Sequence, residues 1–141
     1  MRMTRILLPL LLMLLLAGCQ ATATQQQRAT ELRPGQLYYG QMSGGSQLFT
    51  FTLAHPSNVL LEASTPPSRG LPAGFNGRLI DANGQTVIED NESGENRNFR
   101  IETTLAAGTW YLEVRQPFSC RSTRCESADM SYTLNYRALR N

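Results

Sequence analysis

After Leu32, no segment of this chain offers a helix-length apolar stripe, and apolar residues recur instead at every second position. Phe49, Phe51 and Leu53 alternate with Thr50 and Thr52, and Val59, Leu61 and Ala63 follow the break His55-Pro56-Ser57. Phe99-Ile101-Thr103, Trp110-Leu112-Val114 and Tyr132-Leu134-Tyr136 repeat the pattern. Neighbouring side chains of an extended strand point to opposite faces, so each run has one apolar and one polar face. Leu79 leads into Asp81-Ala82-Asn83-Gly84 before Val87 and Ile88, and Asn-Gly supplies the positive-φ position of a short hairpin. With a shorter strand over Leu37 to Gln41, the pattern predicts about eight strands. No βαβ alternation occurs. The fold class is all-β, an antiparallel β-sandwich whose core is formed by these apolar faces, with Trp110 at its centre.

The first 18 residues belong to a different problem. Arg2 and Arg5 precede an almost wholly aliphatic run from Ile6 to Ala17, the layout of a secretory signal. The run holds about a dozen residues where a spanning helix needs roughly 20. Leu16-Ala17-Gly18-Cys19 resembles the lipobox of bacterial lipoprotein signal peptides. The resemblance implies cleavage before Cys19 and acylation of its sulfur and amino group, and two or more chains anchor stably. Gln20, rather than Asp, after the cysteine points to an outer-membrane address. The plainer alternative is an ordinary secretory signal with Cys19 as a bystander. Three segments follow: a signal peptide over 1–18, a lipidated Cys19 with a flexible polar tether over 19–31, and one domain over 32–141.

Charge excludes one class of partner. The formal net charge of +2 comes from 13 basic and 11 acidic residues, and the signal segment carries two of the arginines. The remaining chain is balanced, with no basic surplus to draw in nucleic acid. Cys120 and Cys125 are the two other cysteines; in an oxidising compartment such a nearby pair reads first as a disulfide. A structural zinc site needs four ligands, and His55 is the single histidine.

A catalytic set is not apparent. There is no Gly-x-Ser-x-Gly elbow, and the carboxylates of Glu89 to Glu95 fall in a loop where no burial raises their pKa. The expectation is a protein that is not an enzyme and needs no cofactor. Two segments stand out for recognition. Gln116 to Glu126, closed by the cysteine pair, brings Arg115, Arg121 and Arg124 around one loop, and arginine forks suit carboxylate or phosphate partners. Thr65 to Phe75, restricted by proline and glycine, is expected to expose Leu71 and Phe75. Tyr38, Tyr39 and Tyr111 are candidates to present aromatic faces to sugars.

Four stretches carry a resemblance to a known family: Leu32-Arg33-Pro34-Gly35-Gln36, Gln47 to Leu53, Leu79 to Gly84, and Leu105 to Val114 with its Gly108-Thr109-Trp110-Tyr111 entry. With Tyr132-Thr133-Leu134-Asn135-Tyr136 closing the domain, their order resembles the bacterial pre-peptidase C-terminal domain. That resemblance implies a jelly-roll-like β-sandwich, non-catalytic and usually appended to exported enzymes. Some members bind calcium, and Asp81, Asp90 and Glu92 are the carboxylates here that such an ion would use. The loop Glu89 to Glu95 fits no EF-hand register and reads first as solvated charge. The functional expectation is a lipid-anchored envelope protein that binds a protein or glycan partner. The alternatives are an inhibitor or immunity protein against an envelope-acting enzyme, and a structural or assembly lipoprotein.

Overall fold

The computed structural model describes residues 28–42, 45–66, 74–117 and 130–140. Among them the predicted strands become β2 (Leu37–Gln41), β3 (Ser46–Leu53), β4 (Ser57–Ser64), β5 (Asn76–Ile80), β6 (Thr86–Asp90), β7 (Arg100–Leu105), β8 (Gly108–Arg115) and β9 (Ser131–Arg140). A two-residue strand β1 (Thr30–Glu31) precedes them and runs parallel to β3, Thr30 opposite Phe49. The sandwich thus starts inside the segment read from sequence as tether. Two polar residues carry no periodicity, so nothing in the sequence marks β1.

One sheet has the order β1-β3-β8-β5-β6, the other β2-β9-β4-β7. Among the described strands only β5 and β6 are joined as a hairpin within a sheet, and consecutive strands otherwise lie in opposite sheets, as in a jelly roll. The turn Asp81–Gln85 closes that hairpin with Gly84 at φ +82°, the left-handed position expected of Asn-Gly. The two ends of the layer differ. On one side Asp90 of β6 accepts the backbone N–H of Arg100 in β7 at 2.8 Å, linking the sheets. On the other, side chains alone join β2 to β3 among the described residues: Tyr38 packs against Phe49, and Gln47 Nε2 donates to the Gln41 carbonyl.

Phe49, Leu112 and Leu79 form an inward row across β3, β8 and β5, while Ile101, Leu61 and Tyr136 form one across β7, β4 and β9. All six are almost fully buried. Rings lock the layers together: Phe51 meets Tyr136 at 4.6 Å, Phe75 meets Tyr132 at 4.8 Å, and Tyr38 stands edge-on to Phe49 at 4.9 Å. Gly77 is part of this fit, because a Cβ there would overlap the Phe99 ring.

Three core expectations are corrected. Trp110 is half-buried: it lies two residues from the start of β8, at the rim, where its Nε1 donates to the Ala106 carbonyl at 3.1 Å. Val87 is exposed, since the β5–β6 register shifts between Leu79 and Ile80 and leaves it as the extra residue of a bulge. Phe75 is fully buried rather than exposed, its ring packed against Tyr132 at a tilt of 44°. The Tyr136 hydroxyl is also buried, with no hydrogen-bond partner among the described residues, and burial pushes its pKa up to about 12.

Two substitutions check this placement of the core. Leu112→Ala is expected to cost about 2–5 kcal/mol in urea unfolding, and Trp110→Ala less, the reverse of the order that side-chain size alone dictates. Tyr136→Phe removes an unpartnered hydroxyl and is expected to leave the unfolding midpoint unchanged or raise it.

Candidate functional site

Register decides which loops share a surface. Ser46, Arg115 and Asn76 lie in one row across β3, β8 and β5. Segment 65–75 enters the sheet at Asn76 and segment 116–130 leaves it at Arg115. In the other sheet Gln41 pairs with Ser131 and Ser64 with Thr133, so the same two segments, and the β2–β3 connection, all border this end. The two stretches singled out from sequence for recognition are therefore rooted side by side. Loops held on a rigid sandwich end are where binding residues concentrate.

The root of the first segment is clamped by a residue the sequence reading missed. Asn98 is completely buried. Its Oδ1 accepts the Phe75 N–H at 2.9 Å, and its Nδ2 donates to Thr65 Oγ1 at 3.0 Å and to the Glu95 carbonyl at 2.8 Å. Asn96 adds a bond from Nδ2 to the Thr65 carbonyl at 2.8 Å, and its backbone takes φ +55°, a left-handed conformation that Asn tolerates better than most residues. Gly74 passes so close to the Arg97 carbonyl that a Cβ would overlap it. An Asn among solvated residues carries no pattern that would reveal this; only the fold brings Thr65 and Asn98 together.

Beside this end, on the outer face of the first sheet, runs a groove of about 590 Å³. It is walled by Ser46 and Leu48 of β3, Arg78 and Ile80 of β5, and Tyr111 and Glu113 of β8. It reaches Arg28, Thr30 and Tyr38 at one margin and the turn at Asp81 and Gly84 at the other. Glu113 bonds Arg78 at 2.5 Å and Arg115 at 2.9 Å, and Arg115 also approaches Glu89 at 3.8 Å. Arg115 is thus held in an ion-pair network that it shares, through Glu113, with the groove wall. The sequence reading did not find Arg78 and Glu113; their outward positions on strands looked like ordinary polar faces.

The acidic candidates are separated. Asp81 makes the hairpin turn, its Oδ1 accepting the N–H groups of Asn83 and Gln85, both at 2.9 Å. Asp90 sits at the far end of β6 and accepts from the Ser93 hydroxyl at 2.6 Å, the Ser93 N–H and the Arg100 N–H. Glu92 is exposed in the loop that follows. No group of three or more metal-ligating side chains gathers among the described residues. Partial burial alone would raise the Asp90 pKa, but the hydrogen bonds from Ser93, Arg100 and Asn91 outweigh it and hold the carboxyl below its ordinary value. His55 is exposed in the β3–β4 turn. Tyr39 is exposed on β2, and Tyr38 and Tyr111 are half-buried. Cys19, Leu71, Cys120, Arg121, Arg124 and Cys125 lie outside the described residues.

Comparison of the fold with solved structures identifies it. The pre-peptidase C-terminal domain of collagenase from Bacillus anthracis superimposes with a TM-score of 0.59 at 16% identity, covering 77% of this chain and 94% of that one. This is the pre-peptidase C-terminal fold. The same sandwich occurs in PliG, a periplasmic lysozyme inhibitor of g-type lysozyme. The Aeromonas hydrophila protein gives a TM-score of 0.55 at 9% identity, covering 79% of this chain and 96% of that chain. The Salmonella Typhimurium protein gives 0.52 at 16%, covering 79% and 99%. No family model and no curated protein sequence matches the chain. At these identities the pre-peptidase C-terminal likeness is one of fold.

Two measurements probe the loop end. Asn98→Ala strands the Phe75 N–H and the Thr65 hydroxyl in a buried setting and is expected to cost about 2–4 kcal/mol in urea unfolding. Asp90 stabilises the fold above the ordinary carboxylate pKa, and that contribution is lost as pH falls through its lowered folded value. The gap in urea midpoint between the unsubstituted chain and Asp90→Asn is therefore expected to be widest at neutral pH and to close on acidification.

Proposed function

We propose that this chain is a non-catalytic binding protein of the bacterial envelope, held to the outer membrane by lipid on Cys19, and that its partner is a protein, a lysozyme-type muramidase. The observation that carries the reading is the common root of segments 65–75 and 116–130 through the Asn76–Arg115 pair, on a fold that two periplasmic lysozyme inhibitors use. A loop stiffened by a Cys120–Cys125 disulfide enters an enzyme cleft at low ordering cost. Arg121 and Arg124 on that loop are the groups to meet the carboxylates on which glycoside hydrolysis depends. Arg115, paired with Glu113 and Glu89, acts as the loop's fixed base. Leu71 on the neighbouring segment supplies apolar contact, while Phe75 anchors that segment from inside the core. Calcium at Asp81, Asp90 or Glu92 is no part of this reading, because Asp81 and Asp90 are occupied in separate turns.

The test is inhibition of a g-type lysozyme in a cell-wall lysis assay. The purified chain is expected to inhibit, and the Arg121→Glu, Arg124→Glu double variant to lose at least about tenfold in potency with an unchanged melting temperature. A chain that inhibits no lysozyme, or a double variant as potent as the parent, overturns the reading. Mass spectrometry of the processed N-terminus is expected to show an acylated Cys19.

A further inference from the structure

The outermost strands of a sheet present unpaired N–H and C=O groups that invite another strand unless something blunts them. Three of the four edges here are blunted. β1 is two residues long and carries Glu31. β6 carries Glu89 and Asp90, and β7 carries Arg100 and Glu102. The exception is β2. Leu37-Tyr38-Tyr39-Gly40-Gln41 has no charge and no proline, and Leu37 and Tyr39 are 48% and 77% exposed.

Register sets the direction of its free groups. Met42 N donates to the Met130 carbonyl at 2.9 Å, so the even-numbered residues of β2 exchange hydrogen bonds with β9. The N–H and C=O of Leu37, Tyr39 and Gln41 then point away from the sheet. Among the described residues one group is recorded on that row: Gln47 Nε2 donates to the Gln41 carbonyl at 3.1 Å, which leaves that oxygen a second lone pair.

We propose that this edge pairs with the same edge of a second copy, two β2 strands running antiparallel about a two-fold axis at Tyr39. The outward groups at 37, 39 and 41 are symmetric about residue 39. An antiparallel copy therefore sets Leu37 against Gln41 and Tyr39 against Tyr39, with every outward donor facing an acceptor. Charge supports a self-pairing: a neutral strand meets its own copy without the like-charge opposition that costs sheet stability. On the outer face the two exposed Tyr39 rings come together, and on the inner face Tyr38 stands opposite Gly40. The sheets of two molecules become one. Strands of five residues make a small interface, weak in dilute solution; under the anchoring proposed above, confinement to a membrane raises the effective concentration.

Directly opposed residues in such a pair have Cβ atoms about 4.5–5.5 Å apart, a gap that slight adjustment lets a disulfide close. Tyr39→Cys, in the full chain processed in bacterial membranes and treated with an oxidant, is expected to form a covalent dimer. Val87→Cys, also exposed but on the charged edge β6, is expected not to. Dimers from both variants or from neither, or a Tyr39→Cys cross-link to a different protein, overturn the proposal. Hydrogen exchange on the unsubstituted chain reads the same contact without a mutation. The Leu37 and Tyr39 amides are expected to gain at least about tenfold protection as concentration rises; exchange independent of concentration overturns it. Lysozyme inhibition is a separate assay, so either proposal can fail while the other stands.

Discussion

Three ring contacts between the sheets set the geometry on which the other interactions rest. Phe49 and Phe51 on β3 reach Tyr38 and Tyr136 in the opposite layer, and Phe75, just before β5, reaches Tyr132. Because side chains alternate along a strand, sliding any of these strands by one residue would turn its rings to water and its threonines inward. The contacts therefore select a register as well as hold two layers together. Register in turn decides that Asn76 lies beside Arg115, that Arg78 meets Glu113, and that the odd-numbered residues of β2 face outward. Tyr132 adds a polar tie, donating from its hydroxyl to Gln47 on β3 while its ring covers Gly40. Burial, with a smaller contribution from Tyr38, raises the pKa of that hydroxyl well above the ordinary tyrosine value, so it remains a donor.

Much of this was legible in the residues. Alternation marked five of the eight longer strands, β3, β4, β7, β8 and β9, because burying one face of a strand imposes period two on its sequence. Asn83-Gly84 marked the β5–β6 hairpin. What escaped has physical reasons. β1 is two polar residues recruited by the edge of β3, and no local signal accompanies recruitment. Trp110 has the right period but a position near its strand's end, and depth along a strand leaves no trace in alternation. Val87 was displaced by a bulge, and Phe75 was assigned to a loop surface because its neighbours are proline and glycine. Of the candidate site, the sequence marked the two segments and their arginines. It did not mark their adjacency or the Asn98 clamp, which exist only once residues far apart in the chain are brought together.

A single sandwich serves a domain of a collagenase and periplasmic inhibitors of g-type lysozyme. Fold and function are separable, and function is carried by the site that a fold holds. Here the strand faces are committed to structure: Glu62 is shared by Arg100, Asn135 and Arg137 on one outer face, and Glu113 by Arg78 and Arg115 on the other. The end bearing segments 65–75 and 116–130 is the part free to vary.

The hydrogen bonds of Asn98 give that freedom a boundary. Because the clamp grips Thr65 and Phe75, the chain on either side of the intervening residues is tied into the core, and apart from Gly74, which is held close to the Arg97 carbonyl, the residues between them can change length or composition without disturbing strand pairing. The second segment has its own fixed points, Arg115 at one foot and Met130, bonded to Met42, at the other. Evolution can therefore rewrite either segment independently while both continue to open onto the same patch of surface, so new specificity is reachable by insertion rather than by remaking the domain.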